Sequence, residues 1–306
     1  MACYKPLSAW RNPSDPSGRL LFSYHTIGAS ADHAERTCLK IPCGQCVGCR
    51  LEYSRQWAVR CCHESSLHIF NCFITLTYDP EHLPSDGSLD LKHFQKFMKR
   101  LRKKLAPLQI RFFHCGEYGD KTRRPHYHAL IFGYDFPDKV LLKKSVSGDL
   151  YTSEILTKLW GKGHCSVGAL TFESAAYVSR YIMKKVNGKL AKSHYEAIDY
   201  ETGEIFNLKP EYVTMSRMPG IAREWFNRFH RDVYANKKDF ITLRGVKMKP
   251  PKFYDRLLKN LDPLLMEDII EQRLDNFDPT NATLDRLNVR RQVAEARIAH
   301  YSRDVV

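Results

Sequence analysis

Apolar and polar positions alternate along FITLTY, Phe73 to Tyr78, and this period of two predicts a strand. The next segment, DPEHLPSDGS, is turn chemistry throughout. In DLKHFQKFMKRLRKKL the period lengthens: Phe94, Phe97, Leu101 and Leu105 recur at helical spacing, and basic residues fill the rest of the surface. IRFFHCGEYGD predicts a strand running into a loop, KTRRP a turn, and HYHALIF (126–132) a further strand. CSVGALTF predicts a short strand. Ser174 then opens the helix SAAYVSRYIMKKVNG, stopped at Asn187 and Gly188. Upstream, a helical pattern begins at Leu51, with Trp57, Ala58 and Cys61 on its stripe, and the chain ends in a basic amphipathic helix, LDRLNVRRQVAEARIAHYSR. The fold class expected is α+β, a central antiparallel β-sheet with flanking helices. The expected segments are a Cys-rich stretch at 1–65 packing on the core, a core at 66–190, and an extension at 191–306 that carries the basic helix.

Composition narrows the partners. The 306 residues are 43% hydrophobic and 12% aromatic, enough to bury a real core. A net charge of +14 and a pI near 9.3 call for a polyanion, and nucleic acid fits best. Membrane is not expected as a partner, because no apolar run approaches the roughly 18–20 residues of a span. The first residues, MACYKPLSAWRNPSDPSG, contain no signal-peptide hydrophobic region. No G-x-x-x-x-G-K-[ST] loop is present, so no nucleotide-driven motor is expected.

Two imidazoles, His126 and His128, sit one residue apart on the strand HYHALIF and therefore share a face with Leu130 and Phe132. The plain alternative is a pair of core histidines, but each ring then needs its own polar partner. One divalent ion satisfies both lone pairs together. Glu117, in the loop expected before the turn, would return beside them in an antiparallel hairpin as a third ligand. Two imidazoles and a carboxylate leave positions open for substrate oxygens.

On the helix that follows, Ala175, Val178, Ile182 and Val186 form the stripe expected to face the sheet. Tyr177 and Tyr181, four residues apart, are placed near the opposite face with Lys184 beside them. A phenol has an ordinary pKa near 10 and needs a neighbouring cation to act as a nucleophile at neutral pH. Lys184 is the candidate for that role, and paired phenols can alternate in making and resolving a covalent link.

Five of the ten cysteines lie between Cys43 and Cys62. Cys38, Cys43, Cys46 and Cys49 are candidates for a structural zinc site, with Cys61, Cys62 or His63 as substitutes. A reduced thiol cluster is the alternative, and an iron–sulfur cluster stands further back.

In order, FITLTY, GEYGDKTRRPHYHALIF and YVSRYIMKK resemble the three motifs of HUH-type rolling-circle replication endonucleases of the two-tyrosine subclass. PCGQCVGCRLEYSRQWAVRC, FMKRLRKKL, TFESAAYVSRYIMKK, MSRMPGIAREW and PPKFYDRLL are similar to replication initiators of gokushovirus-type microviruses, over about residues 40–260. The resemblance implies an HUH-like fold and an enzyme that nicks and rejoins single-stranded DNA at a replication origin in the cytoplasm of a bacterial host. His126, His128 and Glu117 would be its ligands for Mg2+ or Mn2+, and Tyr177 and Tyr181 its nucleophiles. A host helicase and polymerase would complete the process. Tyr127 departs from the pattern, which expects a bulky hydrophobe between the histidines. A two-tyrosine transposase and a non-catalytic zinc-knuckle DNA-binding protein are the alternatives.

Overall fold

The chain folds as two units, Met1–Tyr53 with Leu274–Val306, and Ser54–Arg273. The computed structural model describes residues 3–12, 15, 17–22, 37–119, 122–144, 148–180, 191–198 and 203–300. In the first unit β1 (Leu7–Arg11) pairs antiparallel with both β2 (Leu20–Leu21) and β3 (Leu39–Ile41). Helix α1 (Val47–Ser65) starts in this unit and continues into the second. The basic helix expected near the C-terminus is present as Leu284–His300.

The second unit is built on a seven-stranded sheet whose described ladders are all antiparallel. Its strands are β4 (Asn71–Thr77), β5 (Arg111–Tyr118), β6 (Pro125–Phe132), β7 (Val140–Lys143), β8 (Leu150–Thr152) and β9 (Cys165–Gly168). A separate ladder of β10 (Glu196–Ile198) and β11 (Ile205–Asn207) precedes the seventh strand, β12 (Tyr212–Met215). The order β12-β5-β6-β4-β9-β8-β7 puts β5, β6 and β4 side by side in the interior of the sheet.

The period of two sorts residues between two cores. Tyr127, Ala129 and Ile131 of β6 join Cys72, Ile74 and Leu76 of β4 on one face. Helices α2 (Leu91–Leu105) and α3 (Glu154–Trp160) cover that face with Phe94, Phe97, Met98, Leu101, Leu156 and Trp160. The stripe expected on α2 is thus the buried one. Asp90 caps this helix by accepting from the Lys92 backbone N–H, and Arg102, Lys103 and Lys104 complement the dipole at its other end. Leu130 and Phe132 belong to the opposite face. There they meet α1 and α4 (Phe172–Arg180). After α5 (Ala191–Tyr195) come α6 (Arg223–Tyr234), α7 (Lys252–Leu261) and α8 (Pro263–Asp275), which extend the same core. Each such side chain, fully buried, contributes about 1.5–3 kcal/mol of transfer free energy.

Three expectations change. β5 runs on to Tyr118, so Glu117 lies in a strand rather than in a loop, because pairing continues as far as Tyr118 with Pro125. β9 stops at Gly168, and Phe172 belongs to the following helix. That helix starts two residues before Ser174, because Thr171 and Ser174 cap each other: the Ser174 N–H donates to Thr171 Oγ1 at 3.2 Å and the Thr171 N–H to Ser174 Oγ at 2.8 Å. The expected continuation of the helix through Val186 lies outside the described residues. The segments 1–65, 66–190 and 191–306 are also cut differently. β12 joins the sheet, and Ile221 to Ile269 enters the core that includes Leu130.

Candidate active site

Register assembles the site. In the β5–β6 ladder Glu117 faces His126 and Cys115 faces His128. In the β4–β6 ladder Thr75 faces His128 and Thr77 faces His126. Directly opposed residues share a face, so Glu117 and both imidazoles point the same way. Glu117 Oε1 lies 2.7 Å from His126 Nε2 and 3.1 Å from His128 Nε2. Glu117 is 1% exposed and His128 5%.

The outer nitrogens decide what the inner ones can do. His126 Nδ1 is 3.0 Å from the Arg124 carbonyl, which only accepts, so that nitrogen carries the proton. In the neutral ring Nε2 is then a bare lone pair aimed at a carboxylate oxygen. Two acceptors 2.7 Å apart need a cation between them, either a proton or a metal ion. This is the test that the donor set passes: one carboxylate and two imidazole atoms lie within 4.8 Å of one another. Burial pushes the Glu117 carboxyl up, but hydrogen bonds and charge from His126 and His128 overcome it, holding the group well below the usual carboxylate range.

The surroundings hold these donors in place. Thr75 Oγ1 is 3.0 Å from His128 Nδ1 and fixes that ring. The turn joining β5 to β6 is closed by the Gly119 N–H donating to the Arg124 carbonyl at 3.0 Å. A Cβ on Gly119 would come within 3.3 Å of His126 Cε1, so a side chain there presses on the ligand ring. Tyr127, buried at 0% exposure, points to the other face. Its hydroxyl accepts from the Asp90 N–H and donates to the Asp90 carbonyl, both at 3.0 Å, and lies 2.7 Å from the Tyr78 hydroxyl. A phenol thus replaces the expected hydrophobe because its hydroxyl ties β6 to the N-cap of α2.

Tyr177 corrects the sequence reading. Its ring does not face away from the sheet: it stands edge-on to His128, with centroids 5.1 Å apart at 81°, and 6.2 Å from Phe73. The guanidinium of Arg180 lies 6.0 Å from its centroid. The apolar stripe containing Ala175 and Val178 is broad enough to include this partly buried ring. Tyr181 and Lys184 lie outside the described residues.

A profile of the Replication-associated protein ORF2 family matches residues 71–186, a span containing Glu117, His126, His128 and Tyr177. Replication-associated protein VP4 of Bdellovibrio phage phiMH2K is 33% identical over 274 residues, covering 86% of this chain and 79% of that protein. The chain belongs to the microvirus-type phage replication-associated proteins. Replication-associated protein ORF2 of Spiroplasma virus 4 is 34% identical over 249 residues, covering 76% of this chain and 72% of its own length. Replication-associated protein ORF4 of Chlamydia phage 1 is 30% identical over 229 residues, 72% of this chain and 54% of its own. No solved structure matches.

This replication-associated chain carries a second cluster of donors. Cys43, Cys46 and Cys49 lie together as expected, but the fourth thiol is Cys3 and not Cys38. Cys38 precedes β3 and Cys43 follows it, so about 10 Å of extended strand separates the two. The Cys38 thiol instead reaches only the neighbouring Leu39 carbonyl. Cys61 and His63, named as substitutes, belong to the second unit. Cys61 is wholly buried in its core, and His63 is held at 2.7 Å by the Tyr254 hydroxyl. Cys62 is half-buried against that same core, and its thiol is pushed up to about 11, mainly by burial. Burial also works to raise Cys46, but the backbone N–H groups of Tyr4 and Cys49 and the neighbouring thiols bring it down to about 6.

Thr75 and Cys3 are the residues that sequence reasoning missed. Thr75 shares parity with Thr77 on a strand otherwise apolar on alternate positions, a signal that two hydroxyls face one polar site. Cys3 lies forty residues from Cys43, too far for any spacing rule to link them.

Proposed function

We propose that this protein starts phage DNA replication as a site-specific nicking and joining enzyme acting on one strand at the origin. The observation that carries this reading is the Tyr177 ring packed on His128, which belongs to a buried carboxylate–imidazole set. Glu117, His126 and His128 would hold a divalent ion, Mg2+ or Mn2+, which when bound supplies charge to polarise the scissile phosphate. Around it Thr75 and the Arg124 carbonyl orient the two imidazoles, and the buried position of Glu117 limits water.

Tyr177 attacks phosphorus. A bond from the phenolic oxygen to phosphorus forms while the bond from phosphorus to the 3′ oxygen breaks. The proton lost by the phenol balances the one gained by the departing oxygen. The products are a 5′-phosphotyrosyl enzyme and a free 3′-OH, which primes synthesis. Arg180 and Lys184 supply positive charge for the transferring phosphate, and Tyr181 takes its turn as nucleophile when the strand is rejoined. The basic residues of α2 from Lys99 to Lys104 and those of Leu284–His300 contact the DNA backbone, with affinity that falls steeply with salt. Since no motor motif is present, unwinding and extension fall to a helicase and polymerase of the bacterial host, in whose cytoplasm the reaction takes place. No described helix is long and apolar enough to cross a membrane.

The test is to incubate the protein with single-stranded origin DNA and Mn2+ and to look for an adduct that survives denaturant, with the attachment site mapped by mass spectrometry. The expected result is a link at Tyr177 or Tyr181. An adduct that persists when both are changed to Phe overturns the assignment, and a protein that binds DNA without ever forming one is a binder only.

A further inference from the structure

The first unit has little core of its own. Among its described residues Cys3, Ala9, Trp10 and Leu287 are the buried hydrophobic side chains, and neither of the two large clusters includes any of them. A small unit with so few apolar contacts needs another staple. The four thiols lie where one is required. β1 and β3 are antiparallel, with Leu7 opposite Ile41, so the chain before β1 and the chain after β3 emerge at the same end. Cys3 and Cys43 lie on those two segments. Cys46 immediately precedes α1 and Cys49 sits in its first turn, where the helix dipole favours negative sulfur.

The sulfurs are spaced for one ion. Cys3 Sγ is 3.7 Å from Cys43 Sγ and 3.9 Å from Cys46 Sγ, and all four lie within 4.8 Å of one another. A tetrahedron with metal–sulfur bonds of about 2.3 Å has edges of about 3.8 Å. Disulfide bonds, at about 2.05 Å, are far shorter. Backbone N–H groups donate to these sulfurs as they do to thiolates: Tyr4 to Cys46, Cys43 to Cys3 and Cys46 to Cys43, each at 3.3 Å. The turn from Cys43 to Cys46 depends on Gly44, whose φ of +73° is costly for any residue with a Cβ. The geometry points to a structural zinc centre held by Cys3, Cys43, Cys46 and Cys49, which clamps the N-terminal segment to the first turn of α1.

Metal analysis of the full chain, purified without chelators, decides the matter. The His126→Ala, His128→Ala double variant removes the other donor set, so zinc bound there is not counted. That variant should retain one equivalent of zinc, and adding Cys38→Ser should leave this unchanged. Adding Cys3→Ser should reduce it at least tenfold. Loss of zinc with Cys38→Ser and its retention with Cys3→Ser overturns the ligand set, and iron in place of zinc overturns the metal. Should Cys3→Ser not fold, alkylation of the unmodified protein gives the same answer. Cys3, Cys43, Cys46 and Cys49 should resist iodoacetamide until a chelator strips the ion, while Cys38 reacts at once. Equal reactivity of all five before chelation refutes the centre. DNA nicking is not the readout, so failure here is separate from failure of the proposed reaction.

Discussion

The edge of the Tyr177 ring meets the ring of His128, with centroids 5.1 Å apart. This contact separates two roles in one side chain: the ring packs and the hydroxyl reacts. Tyr177→Phe keeps the packing, so its Mn2+ affinity should stay within about twofold of the unmodified protein, while its initial rate of adduct formation falls by on the order of 10³. Tyr177→Ala should lose both. Calorimetric Mn2+ titration beside a denaturing gel measures the two effects. If Tyr177→Phe forms adduct at the original rate, Tyr177 is not the first nucleophile.

Thr75 acts through His128. Removing its hydroxyl in Thr75→Val keeps the shape of the strand but frees the ring, and Mn2+ affinity should drop about 10–100-fold. Thr75→Ser should restore most of it. An affinity unchanged in Thr75→Val would mean that packing alone orients His128.

Tyr127 lies beneath the site and serves stability. In Tyr127→Phe the Asp90 N–H and carbonyl and the Tyr78 hydroxyl lose a partner they share in the interior. Urea unfolding should show a loss of about 1–3 kcal/mol. The rate of nicking per folded molecule should hold, since Tyr127 points away from His126 and His128.

His63 provides a pH signature far from any reacting group. It stacks on Trp225 with centroids 3.5 Å apart, and burial lowers its pKa from 6.5 to about 3. The unfolded chain therefore binds this proton first. Stability contributed by the neutral ring is complete above pH 6.5 and is lost progressively as pH falls toward 3, with a slope of at most about 1.4 kcal/mol per pH unit. Denaturation midpoints of the protein and of His63→Phe, compared from pH 7 to pH 4, should diverge by that slope. Parallel curves would show that His63 is not the group responsible.

Much of the sheet was legible because its two-residue period is strong in FITLTY and HYHALIF, and the helical stripe of Phe94, Phe97 and Leu101 is equally clear. The His pair and its carboxylate followed from the hairpin, even with Glu117 placed in a loop, since β pairing outlasted the point where GEYGD first suggests a turn. The face of Tyr177 was misread because a stripe drawn from Ala175 and Val178 alone was too narrow: a large ring reaches the sheet from its border. Cys3 was illegible for a different reason. Its partners are chosen by the Leu7–Ile41 register, a long-range pairing that no local pattern announces.

Glu117, His126 and His128 sit on two neighbouring interior strands, and their meeting depends on alignment as much as on identity. Sliding β5 by one position against β6 would turn the carboxylate to the opposite side of the sheet. An ion that binds only the correctly zipped ladder thereby favours it by mass action. The cation would then act as a proofreader of assembly, withholding chemistry from any molecule whose strands have closed out of step.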